Sequence, residues 1–152
     1  MTEVTYPVIT EILQAEEIQA ALRFFKEDLP SLQSGMVSIP EFSNKILSCG
    51  HLCVLREDDI VKGFAVYYDN DTQSFTAYLS MIAVKPGYRH EHIGTRILGF
   101  VESEAVKSGM KFLKLEVGKK NLTGQKFYRR LGYEQCGEKS QSWYYIKNLG
   151  ES

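Results

Sequence analysis

The segment from residue 74 to residue 117 constrains the fold more than any other part of the sequence. It begins with the strand-like run "SFTAYLSMIAV" and ends with the shorter run "FLKLEV". Between these runs an apolar residue recurs at every fourth position and Gly109 supplies a stop, which predicts a helix over residues 92–108. A strand, a helix of about four turns and a second strand form a crossover, so we expect the two strands to run parallel in one sheet.

The segments on either side of this crossover predict further strands and helices. Those before it give an antiparallel meander preceded by two helices, and no repeat, low-complexity tract or linker divides the chain. We therefore expect an α/β fold, a mixed sheet flanked by helices, in a single domain over residues 1–152. The predicted elements are a β-prone start at 5–10, helices at 14–29 and 38–50, strands at 51–56 and 60–68, a helix at 121–132 and a strand at 142–147.

Charge is distributed unevenly along the chain. The formal net charge is −1, yet residues 85–130 hold 11 Lys and Arg against 4 Asp and Glu, a local charge of +7. Residues 1–84 hold 5 Lys and Arg against 12 Asp and Glu. Many of these acidic residues fall in predicted turns, where acidic side chains are common. A nucleic-acid-binding protein is usually basic overall, so the pattern favours a compact anionic ligand and no nucleic-acid partner.

The sequence contains neither a run long enough to span a membrane nor an export signal, which predicts a cytoplasmic protein without a membrane partner. Its three cysteines are an odd number, and we expect them to be reduced thiols. The run "CGHLC" brings Cys49, His51 and Cys53 close together, but no second pair of ligands completes a tetrahedral site. We therefore expect no metal.

The turn that opens the crossover helix is suited to an anion. A helix start presents unpaired backbone N–H groups and the positive end of the helix dipole. Neither GxxxxGK[ST] nor GxGxxG is present, which excludes the two commonest phosphate-binding motifs. The turn instead reads "RHEHIG", from Arg89 to Gly94.

This turn resembles motif A of the GNAT superfamily of N-acetyltransferases, which reads [Q/R]xxGx[G/A] between a strand and a long helix. Arg89, Ile93 and Gly94 match the motif, and His92 stands where the family has glycine. The resemblance covers about residues 81–133, because further family positions follow in the same order and spacing. They are "IAV" at 82–84, Pro86, "LEV" at 115–117, Asn121 and "FYRRLGY" at 127–133.

What the resemblance implies is acetyl-coenzyme A as acetyl donor. Its pyrophosphate would bind backbone amides at the helix start, and its pantetheine arm would pair with the exposed backbone at the end of the preceding strand. The local charge of +7 agrees with a ligand that carries several phosphates. The residues implied in binding are Ile82, Ala83, Val84, Arg89, His90, Glu91, His92, Ile93, Gly94, Thr95, Asn121 and Tyr128.

His92 has two interpretations. Glycine permits positive φ and close approach of the backbone to phosphate, but histidine is also enriched at positive φ, and a protonated imidazole would attract pyrophosphate. One interpretation is a functional but altered cradle. The other is that His92 only starts the helix and points into solvent, as we expect for His90.

The resemblance also suggests the groups that move protons. Many family members carry a carboxylate on the strand before motif A, but "SFTAYLSMIAV" has none. Glu116 lies on the next strand, five residues before Asn121 and twelve before Tyr128, the spacing seen in the bacterial ribosomal-protein N-terminal alanine acetyltransferases. By that similarity Glu116 is the general base and Tyr128 the general acid. Alternatively, Glu116 belongs to the polar face of a half-buried strand, Tyr128 packs beside Phe127, and Asn121 caps its helix.

The function that the resemblance implies is acetyl transfer from acetyl-coenzyme A to a primary amine by direct attack in a ternary complex. The acceptor is either a small-molecule amine or a protein N-terminus, and the residues do not choose between them. A non-catalytic acyl-coenzyme A sensor is the alternative, because His92 departs from the motif and the first-strand carboxylate is missing. The last strand offers a route to a homodimer.

Overall fold

A computed structural model describes residues 6–150 of the protein. The strands are β1 Val8–Glu11, β2 His51–Glu57, β3 Ile60–Tyr68, β4 Thr76–Val84, β5 Phe112–Gly118, β6 Glu134–Lys139 and β7 Ser142–Asn148. The α-helices are α1 Ala15–Phe24, α2 Pro30–Gln33, α3 Ile39–Cys49, α4 Ile93–Lys107 and α5 Leu122–Arg130, with 3-10 turns at Lys26–Asp28 and Pro86–Tyr88.

The strands form one seven-stranded mixed sheet in the order β1-β2-β3-β4-β5-β7-β6. The β1–β2, β5–β7 and β6–β7 pairs are antiparallel. Strands β4 and β5 are parallel, and their pairing extends from Thr76 opposite Phe112 to Leu79 opposite Leu115. This arrangement confirms the predicted α/β class and the parallel crossover around α4.

Local sequence signals account for most helix boundaries. The hydroxyl of Ser38 accepts a hydrogen bond from the Glu41 N–H at 3.4 Å, proline occupies the first turn of α3, and Gly50 follows its last residue. Helix α4 covers Ile93–Lys107 and is followed by Gly109 at φ +87°, a conformation that favours glycine. The predicted helix over 92–108 is therefore confirmed to within one residue at each end.

Two elements do not follow from the sequence pattern, α2 and β6. The run "EQCGEK" of β6 leaves most of its side chains exposed, so it shows no alternation of apolar and polar residues. Its pairing with β7, which includes a shift of register between Gln135 and Gly137, is what makes it a strand. The first residue of the predicted β-prone start, Thr5, lies outside the described residues.

Strand β7 lies between β5 and β6 and is hydrogen-bonded on both sides. The last strand is therefore not an edge strand, because its backbone groups already have partners on both sides. The homodimer itself stays a prediction.

The described chain groups into two compact units, and the prediction of a single domain over 1–152 stays a prediction. The first unit contains residues 6–66 and 81–100. Its buried core includes Phe25, which stacks on Phe64 with the ring centroids 4.3 Å apart.

The second unit contains residues 67–80 and 101–150. Its core includes Leu113, Leu115 and Val117, which alternate along β5, and Tyr145 of β7, which is opposite Leu115. Within residues 6–150, no helix combines the length and the apolar character that crossing a membrane requires. The cytoplasmic location stays a prediction.

Candidate functional site

The loop between β4 and α4 belongs to the first unit and ends in a left-handed residue. The Tyr88 N–H donates to the Lys85 carbonyl at 3.0 Å, and the Glu91 N–H donates to the Tyr88 carbonyl at 3.2 Å. His92 has φ 59°, and its carbonyl accepts the first helical hydrogen bond, from the Arg96 N–H at 3.1 Å. The chain thus reaches α4 through the conformation that glycine takes most easily, with histidine in its place.

Gly63 on β3 lets the first turns of α4 lie close to the strand. A Cβ atom built on Gly63 would be 2.7 Å from Ile97, 2.9 Å from Ile93 and 3.1 Å from the Ala83 carbonyl oxygen. A larger side chain there would require the Ile97 and Ile93 side chains to shift, and it would crowd the Ala83 carbonyl oxygen. Gly63 therefore fixes the position of the helix start relative to β3.

The predicted pantetheine-binding residues lie at the end of β4. The strand continues from Ser80 to Val84 beyond its last pair with β5, and Ile82, Ala83 and Val84 are half-buried. The Lys85 N–H that follows donates to the Lys62 carbonyl of β3 at 2.8 Å. The end of β4 is thus fixed through β3.

The side chains of the loop are mostly exposed. Arg89, His90, Glu91, His92 and Thr95 are on the surface, whereas Ile93 is buried and Gly94 is half-buried. The prediction that His90 lies on the surface is confirmed. An exposed imidazole at His92 fits both of its interpretations.

Glu116 lies in the second unit, at an exposed position of β5 opposite Tyr144 of β7. The Tyr78 hydroxyl of β4 donates a hydrogen bond to its carboxylate. Burial, together with the nearby Glu116 charge, raises the pKa of Tyr78 to about 12. Glu116 therefore has a fixed hydrogen-bond donor, a feature that the spacing of acidic residues cannot reveal.

Lys114 lies two residues from Glu116 on the same strand, with its ammonium 4.5 Å from the centroid of the Tyr144 ring. Alternate residues of a strand share a face, so this face carries a carboxylate, an ammonium and tyrosine rings. Tyr78 is opposite Lys114 in the β4–β5 pair, and Tyr144 is opposite Glu116 in the β5–β7 pair. Their positions opposite residues of β5 become apparent only once the strand register is known.

Asn121 caps α5, as one of its interpretations predicts. Its Oδ1 accepts a hydrogen bond from the Gly124 N–H at 2.9 Å. The buried amide of Gln125 donates to the carbonyls of Gly118 at 3.0 Å and Lys119 at 3.1 Å. Gln125 therefore fixes the turn between β5 and α5, a role that sequence reasoning missed.

Tyr128 is 8% exposed and packs among aromatic rings. Its ring makes edge contacts with Phe127 at 5.2 Å and with Tyr133 at 5.8 Å between centroids. Burial raises the pKa of Tyr128 to about 12, so the phenol keeps its proton at neutral pH. The packing role is therefore present, and the phenol is protonated at neutral pH.

The structure brings the predicted residues together in two groups, one in each unit. The first unit holds Ile82 to Val84 and the loop from Arg89 to Thr95, and the second holds Glu116, Asn121 and Tyr128. Residues 6–150 contain no group of three or more His, Cys, Asp or Glu side chains arranged to hold a metal ion. None of the three cysteines, all of which lie within residues 6–150, forms a disulfide.

Comparison with known proteins identifies the family to which the chain belongs. The sequence model of the acetyltransferase (GNAT) family matches residues 15–133. The bovine (Bos taurus) thialysine N-epsilon-acetyltransferase is 31% identical over 94 residues, which are 60% of this chain and 55% of the bovine protein. The chain thus spans little more than half the length of that relative.

Solved structures share the fold at low sequence identity. The ribosomal-protein-S18-alanine N-acetyltransferase of Escherichia coli is 18% identical with a TM-score of 0.76, covering 97% of this chain and 96% of that one. The PaiA N-acetyltransferase of Thermoplasma acidophilum, solved with coenzyme A, is 19% identical with a TM-score of 0.72, covering 94% and 99%. The extent of the family match, which includes the loop, Glu116 and Tyr128, settles the membership. The chain belongs to the acetyltransferase (GNAT) family.

Proposed function

We propose that the protein is an acetyl-coenzyme A-dependent N-acetyltransferase that transfers the acetyl group directly to a primary amine in a ternary complex. Family membership supports the reaction class. The observation that carries the proposal is the loop before α4, where a residue at φ 59° leads into a helix whose first N–H groups have no partner within the helix. This is the backbone arrangement that a pyrophosphate needs.

In this proposal the pyrophosphate binds the backbone amides between Arg89 and Thr95. The pantetheine arm pairs with the backbone of Ile82 to Val84, where β4 continues beyond its pairing with β5. The local charge of +7 over residues 85–130 attracts the phosphates collectively. Asn121 contributes a further contact to coenzyme A while it caps α5.

Tyr128 is proposed as the general acid that protonates the departing thiolate. Direct transfer forms a C–N bond and breaks the C–S bond, so the sulfur must gain a proton and the amine must lose one. A phenol with a pKa of about 12 is fully protonated at neutral pH and is therefore able to donate.

Glu116 is proposed as the general base, acting directly or through water. An alkylamine with a pKa near 10.4 must lose a proton at pH 7, at a cost of about 4.6 kcal/mol, so a base matters for such an acceptor. The carboxylate is exposed and oriented by the Tyr78 hydroxyl, which supports this role over that of an inert surface residue.

The acceptor that we favour is a small primary alkylamine. The bovine relative is named for the ε-amine of thialysine and has 31% identity, whereas the Escherichia coli enzyme, named for a protein alanine, has 18%. A protein N-terminus is the second candidate, because the spacing of Glu116, Asn121 and Tyr128 matches that enzyme class.

A coenzyme A release assay tests the proposal. The purified chain is incubated with acetyl-coenzyme A and either lysine-like amines, polyamines or peptides that begin with alanine, and free thiol is measured. Release with the alkylamines supports the favoured acceptor, and release with the peptides alone supports the second. Binding of acetyl-coenzyme A without thiol release over the whole panel would indicate the non-catalytic sensor instead.

A further inference from the structure

Lys62 of β3 contacts the proposed pyrophosphate loop at three points, all within the first unit. Its carbonyl accepts a hydrogen bond from the Lys85 N–H at 2.8 Å, at the start of the loop. Its ammonium lies 4.6 Å from the centroid of the Tyr88 ring and donates to the Glu91 carboxylate at 2.8 Å. One residue therefore attaches the beginning, the middle and the end of the loop to the strand.

The Lys62 ammonium has a second carboxylate partner away from the loop. Lys62 is 8% exposed and donates to Glu57, at the end of β2, at 2.7 Å. Its hydrogen bonds to Glu57 and Glu91 outweigh burial and raise the pKa of Lys62, so the ammonium stays charged. Glu57 alone satisfies the requirement that a buried charge be paired. The ion pair with Glu91 therefore adds to a charge that is already paired, and it also restricts the Glu91 side chain.

Glu91 is the acidic residue between Lys85 and Thr95, in the segment where we place the pyrophosphate. A carboxylate free to turn toward two phosphates would repel them and compete for the same N–H groups. The Glu91 side chain is 45% exposed, so packing does not restrict it. Its ion pair with Lys62 is what restricts it.

We propose that Lys62 is a positioning residue for coenzyme A binding, which holds the Glu91 carboxylate against β3 and away from the pyrophosphate. The inference rests on the proposed function, since it needs a pyrophosphate at this loop. The ligand it concerns is the diphosphate group of coenzyme A, and the residue acts through Glu91 rather than by touching the ligand.

Two substitutions at Glu91 should change affinity in opposite directions. Glu91→Asp keeps the charge but shortens the side chain by one methylene, so the carboxylate no longer reaches Lys62. Glu91→Gln keeps the length and removes the charge. In isothermal titration calorimetry with coenzyme A, we expect the Asp variant to bind several-fold more weakly than the wild type and the Gln variant to bind more tightly. Equal affinity of the two variants, or weakening of both, would overturn the inference.

Substitution of Lys62 gives an independent measurement. Lys62→Met should weaken coenzyme A binding about tenfold, and combining it with Glu91→Gln should recover most of that loss. Glu57→Gln is the matched control, because Glu57 bonds the same ammonium but belongs to β2 rather than to the loop, and the change should alter affinity less than about twofold. A double variant as weak as Lys62→Met would contradict the inference. If Lys62→Met does not fold, the affinities of the two Glu91 variants still test the inference. The Glu91 side chain is 45% exposed, so its substitution should not prevent folding.

The wild-type titration separates this inference from the function on which it rests. Absence of coenzyme A binding by the wild type would overturn the proposed function and the inference with it. Wild-type binding that is indifferent to the Glu91 substitutions would overturn only the role of Lys62.

Discussion

The Tyr133 hydroxyl donates a 2.7 Å hydrogen bond to the Glu102 carboxylate of α4, which Lys147 also contacts at 3.2 Å. Tyr133 is 2% exposed and the Glu102 side chain 20%, so this bond is partly buried in the second unit. The Tyr133 ring packs against Tyr128, the proposed general acid. The Glu102 carboxylate therefore helps to fix a ring that contacts Tyr128.

Tyr133→Phe should lower the free energy of unfolding by about 2 kcal/mol, because a partly buried hydrogen bond to a charged group is lost. Tyr145→Phe is the matched control. The Tyr145 hydroxyl is also buried and has no hydrogen-bond partner among the described residues, so its removal should leave stability unchanged or slightly higher. Urea denaturation of both variants measures the difference. An equal decrease in the free energy of unfolding in both variants would show that the hydrogen bond to Glu102 does not stabilise the fold.

Tyr128→Phe should lower kcat by about 10- to 10⁴-fold, with little change in the Kd for acetyl-coenzyme A. Steady-state kinetics and calorimetry on the same preparation separate the two effects. Because the pKa of Tyr128 is about 12, kcat of the wild type should not fall between pH 8 and pH 10. Wild-type turnover by the Phe variant would remove Tyr128 from the mechanism.

Glu116→Gln should abolish the acidic limb of the pH profile of kcat/KM if this carboxylate is the base. Tyr78→Phe should keep the acidic limb but lower kcat/KM several-fold, because the carboxylate loses the hydroxyl that orients it. An acidic limb that is unchanged in Glu116→Gln would place the base elsewhere. The Tyr78 variant then serves as a control for disturbance of the sheet.

Alkaline pH should destabilise the fold, over the pH range between the pKa of an ordinary tyrosine and the raised pKa values of the folded state. Tyr78 and Tyr128 have folded-state pKa values of about 12, against 10.0 for an ordinary tyrosine. The folded state therefore retains protons that the unfolded state loses, and the stability from these groups, intact below pH 10, decreases as the pH rises to 12. Urea midpoints at pH 9, 10.5 and 11.5 measure the effect. In Tyr128→Phe the decrease should be smaller.

His92→Gly should raise the free energy of unfolding by about 0.5 kcal/mol, because glycine adopts φ 59° without the strain that a side chain brings. His92→Ala retains that strain and should not stabilise. Thermal unfolding of both variants tests the backbone argument. Coenzyme A titrations of the same proteins then distinguish an altered cradle from an imidazole that points into solvent.

The sequence predicts those parts of the fold that local patterns encode. The stripe from Ile93 to Ala105, the cap at Ser38 and the stop at Gly109 are local signals, and α3 and α4 form where they indicate. Strand β6 depends on pairing with β7, so its own residues carry no comparable signal. The same reason explains why the pairing of Tyr78 with Glu116 is invisible in the sequence. The two residues are 38 positions apart and meet only through the strand register.

The position of β7 has a consequence for how the protein is made. Strand β5, which carries Glu116, pairs with β7 along its whole length from Phe112 to Gly118. During synthesis, this edge of β5 stays unpaired until residue 148 has left the ribosome, and unpaired strand edges are prone to aggregation. A nascent chain truncated after α5 would therefore expose the edge of the strand that carries the proposed base.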